Sequence, residues 1–150
     1  MLDPHVNPAT RARHLLGAGD NTAAFEATVA AATAATAVGA LEDALVHWAR
    51  ALELWESGTP EAQAKAGGRA AVALWAARAA QGTGDVNRAR NLARLAIETA
   101  SSPSERAEAR LVLCALLSPD VTGESGPSLA EAVAALGDAG DLAELAARAT

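Results

Sequence analysis

Gly39-Ala40-Leu41-Glu42-Asp43-Ala44-Leu45-Val46-His47-Trp48-Ala49-Arg50-Ala51-Leu52-Glu53-Leu54-Trp55 is the stretch whose reading decides the fold. A glycine opens it, and Leu41, Leu45, Trp48, Leu52 and Trp55 follow at spacings of four, three, four and three. On a helix these side chains form one apolar stripe, with Glu42, Asp43, Arg50 and Glu53 largely off it. The pattern predicts a helix from about Ala40 to Glu56, ended by Ser57-Gly58.

The same punctuation continues on both sides. Toward the N-terminus, Asn7-Pro8 caps and starts a helix running to Gly17, and Asp20 or Asn21 caps an alanine-threonine helix reaching about Val38. Toward the C-terminus, Thr59-Pro60-Glu61 begins a helix predicted to continue to about Gln81 through Gly67-Gly68. That glycine pair reads as a kink or a close helix crossing, with a hinge as the sharper alternative. A fifth helix follows Gly84-Asp85 to about Ala100. Ser102-Pro103-Ser104-Glu105 opens a sixth, ending at Leu117. Residues 118–127 form a loop rich in proline and glycine, and residues 128–150 hold two short helices, Leu129–Leu136 and Leu142–Ala149. Residues 1–117 are thus the main domain.

Composition agrees. Of 150 residues, 42 are alanine, which loses no side-chain entropy in a helix, and only 3% are aromatic. A sheet would need the β-branched and aromatic residues that are scarce here. Short turns between consecutive helices require antiparallel neighbours, so the expected fold is all-α, built from antiparallel helical hairpins stacked on one another.

A spacing recurs within that stack. Gly19…Ala24…Ala31, Gly39…Ala44…Ala51 and Gly84…Ala89…Ala96 each place small residues five and twelve positions after a turn glycine. Trp48 falls between Ala44 and Ala51, where a large ring would fill the space between hairpins. The pattern resembles the tetratricopeptide repeat, whose unit is about 34 residues of paired helices. The copy from Ala70 to Pro103 matches best, although Ala93 stands where a bulky aromatic is usual and Ala77 where a glycine is usual. The first two glycines are only 20 residues apart, so the repeats are irregular and share helices. The resemblance implies a short right-handed superhelix.

A narrower resemblance covers Arg11 to about Leu116. Arg13-His14-Leu15-Leu16-Gly17-Ala18-Gly19-Asp20 and the run from Ala30 to Trp55 look like the helical region after the ATPase module in large LuxR-type ATP-binding transcription regulators and related ATPase–cyclase proteins. In that family the region senses an inducer or partner and relays its state. The resemblance implies a regulatory, signal-transducing role in transcription. It stops at the sensor: no G-x-x-x-x-G-K-[ST] loop is present, and the last two predicted helices are too short and too poor in cations for a DNA reader.

Signals for chemistry are sparse. His5, His14 and His47 are isolated from other ligand types, so no metal site is expected. Cys114 stands among apolar residues and reads as a buried inert thiol, compatible with a reducing compartment. Gly17-Ala18-Gly19 and Gly82-Thr83-Gly84 mimic part of a dinucleotide fingerprint but follow no strand. No serine or cysteine has a credible base, and no carboxylate pair faces a common point. Neither an enzyme nor a cofactor is expected. A net charge of −6 leaves no footprint for direct nucleic-acid binding. No stretch suits a signal peptide or a membrane span, which points to a cytoplasmic protein.

What remains is binding. By analogy with tetratricopeptide scaffolds, the first helix of each hairpin lines the concave face. That singles out Leu74, Arg78 and Gln81 in the third copy and Arg13 in the first, with Trp75 beside them. Trp48, Trp55 and Trp75 otherwise read as core fillers. Arginine forks suit carboxylates, so the expected partner is a protein or peptide with an acidic or C-terminal carboxylate anchor. The competing readings are a homo-oligomerisation unit and, further off, a small helical enzyme.

Overall fold

A computed structural model describes residues 7–117, so the predicted loop 118–127 and the two helices within 128–150 lie outside the described residues. All elements within that range are helical: α1 (Pro8–Gly17), α2 (Asn21–Ala37), α3 (Leu41–Glu53), a 3-10 turn (Trp55–Ser57), α4 (Pro60–Lys65), α5 (Arg69–Gly82), α6 (Val86–Thr99) and α7 (Pro103–Leu117). Each long helix packs on the next, in the order α1–α2–α3–α5–α6–α7.

One turn design, used four times, sets this zigzag. Gly19, Gly39, Gly67 and Gly84 all have φ between 73° and 87°, a region that costs an L side chain but not glycine. At Gly19, the glycine N–H donates to the Leu16 carbonyl and the following Asp20 N–H to the Leu15 carbonyl. Gly39 and Ala40, Gly67 and Gly68, and Gly84 and Asp85 repeat the pair. This Schellman arrangement satisfies carbonyls that a helix end would otherwise leave bare. Asp20 and Asp85 then cap the next helix, accepting from the Ala23 and Arg88 amides.

Two predicted helices are corrected by these details. The helix expected to run from Pro60 to Gln81 is two helices, because Gly67 closes α4 and Gly68, at φ 90°, starts α5 afresh. The helix expected to reach Glu56 stops at Glu53. Its last turn tightens around Phe25: Trp55 meets that ring edge-on at 5.6 Å, and a Cβ on Gly58 would lie 2.7 Å from Phe25 Cδ1. Gln63 Nε2 donates to the Trp55 carbonyl at 2.8 Å and holds the turn.

The core divides into two textures. Phe25, Trp48 and Trp55 fill the space around α2, α3 and the 3-10 turn. Between α5 and α6 the contact is almost all alanine: Ala73, Ala76, Ala77, Ala80, Ala89, Ala93 and Ala96 are fully buried. The small residues of the recurring pattern, Ala24, Ala31, Ala44, Ala51, Ala89 and Ala96, are all buried. Close helix approach stands in for side-chain bulk, since the buried apolar area per residue is small. Cys114, expected to be buried, is partly exposed on α7.

Candidate functional site

Two valleys follow from the zigzag. Helices α1 and α3 each pack on α2, and α5 and α7 each pack on α6. Each outer pair therefore flanks a valley over its middle helix.

The α1–α3 valley is a groove of about 410 Å³. Ala9, Ala12, Arg13 and Leu16 of α1 line one wall, and Val46, Ala49, Arg50 and Glu53 of α3 line the other. Both sets run at i, i+3, i+4, i+7, so each is one face of its helix. On α3 this face lies away from Trp48. The groove stays open because Ala9, Ala12 and Ala49 are too short to meet across it. Thr28 of α2 also lines it, together with His47 and, from α6, Arg88.

Charge in the groove is uneven, with Arg13, Arg50 and Arg88 against one carboxylate, Glu53. Arg50 pairs with Glu53 within α3. Arg13 and Arg88 have no carboxylate within ion-pairing distance among the described residues. The floor holds a second unsatisfied group: Thr28 is 1% exposed and its hydroxyl has no hydrogen-bond partner among the described residues. Thr33, Thr36 and Thr99 each donate to the carbonyl four residues back, the usual resting place of a helical threonine hydroxyl. A buried hydroxyl left unmatched costs about 1–3 kcal/mol.

The α5–α7 valley is smaller, about 160 Å³, lined by Ala70, Ala71, Leu74, Trp75 and Arg78 of α5 with Glu105 and Glu108 of α7. Its polar groups are matched. Arg78 Nη2 lies 2.6 Å from Glu108 Oε1, and the guanidinium sits 5.2 Å from the Trp75 ring centroid. Trp75 is 41% exposed but stacks on buried Trp48 at 6.4 Å and 16°. Trp48 Nε1 donates to Thr36 Oγ1 at 3.0 Å.

The structure therefore separates residues that the sequence grouped. Leu74, Trp75 and Arg78 share the smaller valley, with Leu74 buried beneath it. Arg13 lies in the other groove, and Gln81 is exposed at the end of α5 and lines neither. Leu74 belongs to a small core cluster with Ala73, Ala96 and Ala109. Sequence reading missed Thr28, His47, Arg50 and Arg88. Arg50 was visible as a charge opposite the tryptophan stripe, but nothing in the primary order links Arg13 to Arg88.

Among the described residues no group of three or more histidine, cysteine or acidic side chains could hold a metal ion. No described helix is long and apolar enough to cross a membrane. Comparison with family models, curated proteins and solved structures finds no match to this chain.

Proposed function

We propose that this chain is a non-catalytic, regulatory helical-repeat module that recognises a protein or peptide partner through an acidic anchor, and that the α1–α3 groove is its recognition face. The observation carrying this reading is the pair Arg13 and Arg88, both without a carboxylate partner among the described residues and set along an apolar valley. Arginine presents a planar fork of donors that matches a carboxylate bidentately. The alanine, leucine and valine side chains of its walls take up the apolar part of the same ligand. Arg78, the cation singled out in the sequence, is already occupied by Glu108 and Trp75. That favours the Arg13 groove over the Arg78 valley.

The finer architecture belongs to the same proposal. Repeated glycine turns followed by buried alanines support a tetratricopeptide-like right-handed superhelix. The resemblance to the sensor region of LuxR-type regulators supports a regulatory, cytoplasmic setting.

Fluorescence anisotropy with a labelled glutamate-and-leucine peptide ending in a free carboxylate tests the site. Arg13→Ala with Arg88→Ala should weaken binding at least tenfold, while Arg78→Ala leaves it unchanged. The opposite ranking would sink the assignment.

A homo-oligomerisation unit is the second reading. Val38, Leu41 and Val86 are exposed, and Leu41 lies against Gly82, so the α2–α3 and α5–α6 turns bring them to one end. Light scattering across a wide concentration range tests it. A constant monomer mass removes it.

A further inference from the structure

The charge of the chain is unevenly distributed. Residues 7–117 contain 11 acidic and 11 basic residues, so the described body is formally neutral. Residues 118–150 contain six acidic residues and one arginine. Almost all of the net −6 resides in that C-terminal segment. The body's groove, meanwhile, displays Arg13 and Arg88 without carboxylate partners among the described residues.

We infer that the acidic C-terminal segment, residues 118–150, docks in the α1–α3 groove of its own chain and occupies the face an external acidic partner would use. The inference rests on the reading of that groove as an acidic-anchor site and names its resident occupant.

Two observations carry it. The first is complementarity: the segment combines Leu129, Val133 and Leu136 with Glu131 and Asp138, carboxylates interspersed with apolar groups, and the groove combines apolar walls with arginines. The second is where the segment departs. The Leu116 carbonyl accepts from Arg90 Nε at 3.1 Å and Nη2 at 2.9 Å. The end of α7 is thereby fixed beside the first turns of α6, whose opposite face supplies Arg88 to the groove. Ten residues, 118–127, can extend roughly 33 Å, and packed helices lie about 10 Å apart, so the groove is within reach of residue 128 and beyond.

Occupation in cis is an intramolecular event, with the effective concentration a short tether confers. An external ligand must displace the segment, which makes the groove a regulated site rather than an open one.

The test uses the full chain. Arg13→Lys and Arg88→Lys place primary amines in the groove lining, and a carbodiimide then condenses either amine with any adjacent carboxylate, with loss of one water. Peptide mapping should show links from position 13 or 88 to carboxylates between Asp120 and Glu144. The linked species should have monomer mass, in a yield unaffected by dilution. Links confined to Glu53 or other body carboxylates, or found only at dimer mass, overturn the inference.

A second measurement separates it from the reading on which it rests. A full chain with its six C-terminal acids changed to amides (Asp→Asn, Glu→Gln) should bind the glutamate-and-leucine peptide at least tenfold more tightly than the wild type. Equal, measurable binding by both chains removes the segment as occupant and leaves the groove's assignment standing. Absence of binding by either chain removes both.

Discussion

The helix triplets α1–α2–α3 and α5–α6–α7 share one plan, two helices packed on a third, yet their valleys end in opposite states. In the second triplet the outer helices touch each other, Leu74 and Ala109 bury between them, and Arg78 is taken by Glu108 and by the Trp75 face. In the first triplet the outer helices stand apart, the valley is more than twice as large, and Arg13 and Arg88 are left without a carboxylate among the described residues. A valley that satisfies its own charges has little left to offer a ligand. One that does not is a place where binding energy is still to be gained.

The largest expected effect falls where the two halves meet. Trp48 is 4% exposed, lies under Trp75 and donates to Thr36. Trp48→Ala should destabilise the chain by about 3–5 kcal/mol in urea titration, and it should loosen the Arg78 valley more than the Arg13 groove. An unchanged melting temperature would mean that the ring is not part of the core.

The same substitution placed in each valley sharpens the contrast. Ala109→Leu, at a site 1% exposed in the closed valley, should cost about 1–3 kcal/mol through overpacking. Ala49→Leu, on the wall of the open groove, should alter stability by no more than about 0.5 kcal/mol. It should nevertheless block the glutamate-and-leucine peptide. Equal costs at the two sites would show that both valleys are packed alike.

Removing the unmatched hydroxyl tests the open groove from below. Thr28→Val exchanges a buried, unpaired oxygen for a methyl group and should stabilise the chain by about 1 kcal/mol in thermal melts. A loss of stability instead would mean that the hydroxyl has a partner in solution.

The smallest effect belongs to Arg78→Ala. Its ion pair joins side chains that are 41% and 47% exposed, a setting worth about 1 kcal/mol or less. Thermal melts should detect little, and a loss of several kcal/mol would show that the closed valley depends on this pair.

Local chemistry explains why so much of the fold was legible. A glycine in the left-handed region with its flanking carbonyl bonds is a property of five or six consecutive residues, so Gly19, Gly39 and Gly84 marked their turns in the sequence. Gly67 makes the same turn, but it was hidden because Gly68 follows it and the residues on either side are good helix formers. The end of α3 was hidden for a different reason. Its tightening answers to Phe25, 30 residues before Trp55, and periodicity within α3 carries no trace of that contact.

The candidate site was legible only as a type of residue. Arginine on a helix face can be read from spacing, so Arg13 and Arg78 were equal candidates in the primary order. Whether a cation is consumed or left open depends on what stands across the valley: for Arg78 it is Glu108, 30 residues away, and for Arg13 it is Glu53, which is already paired with Arg50 of its own helix. The sequence by itself determined helices, turns and the buried alanine positions, because these follow from short-range bonding and from the 3.6-residue period. Only the tertiary structure decided which valley closed and which stayed open, because ion pairing and filling of space are settled between residues that the chain order keeps far apart.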